Sequence, residues 1–178
     1  MICIIWKKKK NVTIWKGKLE VKVFSPELNK LTINGSGDIH FANGIQTKED
    51  ISLSINGSGD IKGKDFKCRK MSVSISGSGD VKLQQIESEE CNASIAGSGD
   101  IGLSGKTLNA KYKIAGSGDI AAGNLESENV SASTTGSGSI SCYASGKLTA
   151  RVTGSGDIAY RGNPQEIDAP RKNIRQIK

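Results

Sequence analysis

The sequence is poor in the side chains that most enzymes use. It holds one histidine, His40, three prolines and 4% aromatic residues in a chain of 178. One histidine excludes multi-histidine metal sites and any catalytic arrangement that needs a second imidazole. His40 follows an apolar corner residue and is expected on the surface. No apolar run approaches 18 residues, so no transmembrane segment is encoded. The four cysteines, Cys3, Cys68, Cys91 and Cys142, lack metal-ligand spacing. They read as small buried hydrophobes or free thiols. Met1–Trp6 is too short for a signal-peptide core, and Cys3 lies in no lipoprotein site. If the start is correct, the sequence alone implies a cytoplasmic protein.

Charge of one sign is also scarce where it would matter. The formal net charge is +7, but seven lysines against Glu20 in residues 1–24 supply most of it. Residues 161–178 add five basic residues against Glu166 and Asp168. The stretch between is nearly neutral, so no basic stripe for nucleic acid runs along the body. Lys7–Lys10 beside Trp6 reads as a solvated end.

What the sequence does have is glycine, 22 residues of it, in a repeating motif. Gly-Ser-Gly-Asp stands at 35–38, 57–60, 77–80, 97–100, 116–119 and 154–157, with Gly-Ser-Gly-Ser at 136–139. The glycines are Gly35, Gly37, Gly57, Gly59, Gly77, Gly79, Gly97, Gly99, Gly116, Gly118, Gly136, Gly138, Gly154 and Gly156. The fourth position is Asp38, Asp60, Asp80, Asp100, Asp119, Ser139 or Asp157. An apolar or β-branched residue stands two before each corner, from Ile33 to Val152. Another stands directly after it: Ile39, Ile61, Val81, Ile101, Ile120, Ile140 and Ile158.

The local chemistry is strand, corner, strand. Leu53-Ser-Ile55 and Val73-Ser-Ile75 alternate with period two. The two glycines are expected to take positive φ, and Ser and Asp to bond their own backbone amides and so close the bend. Weaker breaks at Gly105, Gly123 and Gly146 suggest about three short strands per repeat. A unit of about 20 residues cannot bury its own apolar face, whereas stacked copies can. The expected fold is an all-β, single-stranded parallel β-helix (β-solenoid) of roughly seven coils, about 34 Å long, with almost no helix. The expected organisation is a basic extension at 1–11, a solenoid at 12–162 with a degenerate first coil at 12–34, and a polar tail or cap at 163–178.

Two motifs invite other readings. Gly97-Ser-Gly-Asp-Ile-Gly102 matches a dinucleotide fingerprint, but a strand rather than a helix follows it. No cofactor is expected. The aspartate column makes Asp60, Asp80 and Asp100 weak candidates for a cation. Its period of about 20 does not give facing acidic turns, and Ser139 interrupts it, so structural carboxylates are the preferred reading. Asn34 and Asn56 begin glycosylation-type sequons but belong to the corner. No carboxylate pair stands apart as an acid and base, so catalysis is not expected.

The tandem corners, with Ser25-Pro-Glu-Leu28 leading in and Tyr160-Arg-Gly-Asn-Pro164 following, resemble the bacterial "putative auto-transporter adhesin, head GIN domain" family over about 25–164. The resemblance implies a right-handed β-helix on exported cell-envelope or extracellular proteins, common in Bacteroidetes, and assigns no catalytic residue. It implies adhesion or surface scaffolding through a glycan or protein partner. The chain departs from the family pattern by starting mid-domain and by lacking a last Gly-Ser-Gly copy. Coils missing at the start would leave a parallel edge open to homo-oligomeric, end-to-end self-association. The alternative reading is therefore a self-assembling structural solenoid. A carbohydrate-active β-helix enzyme ranks last.

Overall fold

The computed structural model describes residues 28–170 and 173–177. They form a β-solenoid with no helix among them. The strands are β1 (Lys30–Gly35), β2 (Ile39–His40), β3 (Ile45–Gln46), β4 (Asp50–Gly57), β5 (Ile61–Gly77), β6 (Val81–Gly97), β7 (Ile101–Gly116), β8 (Ile120–Gly136), β9 (Ile140–Gly154), β10 (Ile158–Arg161), β11 (Glu166–Asp168) and β12 (Ile174–Gln176). Every pairing is parallel, each coil on the next. The extension at 1–11 and most of the degenerate coil lie outside the described residues.

The repeat sets the register. Ile61 pairs with Val81, Val81 with Ile101, Ile101 with Ile120 and Ile120 with Ile140. On the other side of the corner, Ile55 pairs with Ile75, Ile75 with Ile95 and Ile95 with Ile114. These side chains are buried and form the core. Alternation supplies the inside and the outside, because successive residues of a strand point to opposite faces.

The expected three short strands per repeat appear as such only in the first described coil, as β2, β3 and β4. In β5 to β9 the chain pairs continuously for 15 to 17 residues and breaks only at Ser-Gly-Asp. The mid-coil bend is made inside the ribbon. Gly105 bends with φ +132°, whereas Asp65 (φ 64°) and Gln85 (φ 54°) do so without being glycine. A non-glycine residue there costs about 1–2 kcal/mol, and glycine's extra unfolded freedom costs about 0.5–1. Gln85→Gly is therefore expected to stabilise the fold by about 0.5–1 kcal/mol, read as a higher denaturation midpoint.

The expectation of positive φ at both corner glycines needs correction. The first glycine of each corner has it, from φ 120° at Gly154 to 146° at Gly57 and Gly97. The second does not, and it is glycine for a different reason. A Cβ on Gly99 would lie 2.0 Å from the Gly79 carbonyl oxygen of the coil beneath.

The tail also joins the stack. β11 pairs with β9, with Ile167 beside Leu148, and β12 pairs with β10, with Ile174 beside Ile158. Asn173 (φ 60°) takes the corner position, its carbonyl accepting the Ile158 N–H at 2.9 Å. Among the described residues no helix is long and apolar enough to cross a membrane.

Candidate functional site

The corner carboxylates serve the corner, but by bonding the next coil rather than their own backbone amides as the sequence suggests. The N–H of Asp60 donates to Oδ1 of Asp38 at 3.0 Å, that of Asp80 to Asp60 at 3.1 Å, and that of Asp100 to Asp80 at 3.0 Å. Asp119 and Ser139 continue the ladder at 2.9 and 2.7 Å. Each carboxylate thus replaces the carbonyl that a strand would present where the chain turns. Lys62 bonds the Asp60 carboxylate at 3.0 Å and holds it below the usual carboxylate range. Among the described residues no three metal-ligating side chains converge. Asp80→Asn keeps an acceptor and removes stacked like charge, so a stability change within about 0.5 kcal/mol is expected. Asp80→Ala leaves the Asp100 N–H without its acceptor and is expected to cost about 1–2 kcal/mol. Paired urea titrations measure both.

Outside the corners, two charged columns alternate in sign. Asp50, Lys70 and Glu90 stand in register, and so do Lys67, Glu87, Lys106 and Glu126. Lys67–Glu87 is 2.7 Å, Lys70–Glu90 2.9 Å and Lys106–Glu126 3.3 Å. Lys70, then Asn92, holds the Glu90 carboxyl below its ordinary value. These pairs are substantially exposed and each contributes little stability. Their effect is on which coil stacks on which, since a coil laid on a copy of itself would stack like charges. Aligning the repeats on their corners would have revealed both columns.

Two further outward columns, on the face that also carries Asp50, Lys70 and Glu90, hold mostly short polar side chains. Ser52, Ser72, Asn92, Lys111, Ser131 and Thr149 form one outward column. Thr32, Ser54, Ser74, Ser94, Lys113, Ser133 and Arg151 form the next. The columns step by about 4.8 Å between coils and about 6.6 Å along each strand. His40, at the register position of Lys62, is exposed.

The interior is closed chemically as well as sterically. Cys68, Cys91 and Cys142 are buried free thiols. Burial pushes Cys68 up to about 11, and Cys91 and Cys142 up to about 12. Thiolate is the reactive form, so these three cysteines are expected to resist an aromatic disulfide reagent at pH 8 until the chain is unfolded. Peptide mapping of the labelled sites reads this directly. Cys3 lies outside the described residues.

With this geometry in place, known proteins can be compared. The family model for "Putative auto-transporter adhesin, head GIN domain" matches residues 5–164. The chain belongs to this family. A putative lipid binding protein from Parabacteroides distasonis is 29% identical, with a TM-score of 0.79 over 86% of this chain and 63% of its own. Putative adhesins from Bacteroides fragilis and Parabacteroides merdae are 22% and 23% identical, with TM-scores of 0.68 and 0.77. They cover 84% and 85% of this chain, and 88% and 64% of their own. These two share the fold. The chain spans under two thirds of the length of the P. distasonis and P. merdae structures. No curated protein matches. The likeness places this head GIN domain among structures from Bacteroides and Parabacteroides.

Proposed function

We propose that this head GIN domain is a non-catalytic adhesion or scaffolding module of the cell envelope or surface that binds glycan through its Ser/Thr/Asn face. The supporting observation is the in-register array of short hydroxyl and amide side chains on β4, β5, β6 and β8, which Lys111 and Lys113 interrupt on β7. Such side chains lose little rotamer entropy when a ligand orders them, unlike long ones. Their spacing is fixed before the ligand arrives, so weak contacts add along a polymer. The P. distasonis relative is described as lipid binding. In this chain the described core is taken up by stacked, mainly aliphatic side chains, and the grooves combine polar residues with apolar surface, the pairing that a sugar ring also presents. The Asp ladder, in this reading, holds the corners and needs no cation. Glycan-array and cell-adhesion assays on folded protein test the proposal. Binding to at least one glycan class is expected, and blank results in both assays overturn it.

A further inference from the structure

The register shifts by one residue between β6 and β7 and between β7 and β8, but the departure from the repeat is larger between β8 and β9. β9 has 15 residues where β8 has 17, and their register slips between Ala122 and Glu126 and again between Ser127 and Asn129. The slip brings Tyr143 beside Glu126, where the alternating column would place a cation. Tyr143 reaches towards the next coil, where a Cβ on Gly162 would come within 3.2 Å of its ring tip. Leu108 is 52% exposed, one of two large exposed hydrophobics among the described residues. Leu108, Tyr143, Glu87, Lys106, Glu126 and Glu128 line a groove of about 470 Å³.

We propose that this groove is a discrete subsite for a short neutral saccharide, resting on the glycan reading above. A sugar ring has an apolar C–H face and a rim of hydroxyls, and the groove offers a match for each. Tyr143 and Leu108 supply apolar surface, and tyrosine adds a polar tip. Lys67 occupies Oε1 of Glu87 and Lys106 occupies Oε2 of Glu126. One oxygen of each carboxylate is left to accept a hydroxyl. The same ion pairs neutralise two of the three carboxylates, which favours a neutral ligand over a cationic peptide. The departure from the repeat supports a local function, because a purely structural coil gains nothing from exposing leucine.

Cellotriose, maltotriose and triacetylchitotriose are the probes, followed by ¹H–¹⁵N NMR on the full chain with tetralysine in parallel. At least one trisaccharide is expected to shift the resonances of Leu108, Glu126 and Tyr143. Tyr143→Ala is expected to weaken that binding about tenfold. Leu108→Asn, at an exposed position, is a second variant that does not depend on repacking and is expected to weaken it about threefold. The inference is overturned if no trisaccharide moves these resonances, if both variants bind as the parent does, or if only tetralysine binds. Positive glycan arrays alongside such a failure would remove the groove and leave the face. Blank arrays and adhesion assays would remove the broader reading.

Discussion

Gly99→Ala is expected to cost the fold about 3 kcal/mol, although it adds only one methyl group, because Gly99 is buried in the corner stack. The new Cβ would lie 2.0 Å from the Gly79 carbonyl oxygen and 3.1 Å from both the Gly79 carbonyl carbon and Ile75 Cγ2. Backbone cannot give way as a flexible side chain can. Moving it would lift one coil from the next and break the neighbouring bond from the Ser98 N–H to the Gly77 carbonyl, 2.9 Å long. Gly102→Ala is the control. Its Cβ would meet only Lys82 Cγ and the Val81 oxygen, both at 3.9 Å. There, lower unfolded entropy predicts no loss, or a gain of about 0.4–1 kcal/mol. Denaturation midpoints for the pair decide the matter, and equal stability would refute close stacking of the corners.

The second large effect is expected in the core. Tyr112 is fully buried, and its register neighbours are Ala93 and Ala132. The adjacent inward positions are also small nearby, with Cys91 and Ala110 in the next column. One large ring therefore fills space that several coils leave free. Tyr112→Ala is expected to cost about 3–5 kcal/mol, because the surrounding alanines cannot close the hole. Tyr112→Phe is expected to be neutral, or to gain up to about 1 kcal/mol. The hydroxyl points towards Ser127, whose own hydroxyl donates to the Leu125 carbonyl at 3.0 Å, and it finds no partner. Thermal unfolding of both variants separates ring packing from the hydroxyl, and a costly Tyr112→Phe would contradict this assignment.

The contrast between these residues marks how far the sequence could be read. The seven corners and the two isoleucine-rich columns were legible because identical chemistry recurs at a nearly fixed interval. Gly59 and its counterparts in later coils are legible as corner residues, but their reason is not, since the close approach involves the coil beneath. The alternation of Tyr112-Lys-Ile114 marks Tyr112 as an inward strand residue, but not its packing, which depends on alanines 19 and 20 residues away. Asn173 was missed because it makes a corner without Gly-Ser-Gly. Tyr143 escaped notice because two residues are lost in β9, so counting by repeats puts it out of register.

The glycan-binding face is the central claim, and its most direct test is a face-blocking variant. Ser72→Glu, Ser74→Glu, Ser131→Glu and Ser133→Glu combined place four carboxylates on the outward columns and leave the core and corners untouched. Circular dichroism establishes that the solenoid persists, and immobilised glycans from the positive array spots then read binding. The account predicts that the folded variant loses most of its retention on long polymers. Retention equal to that of the parent chain would contradict it.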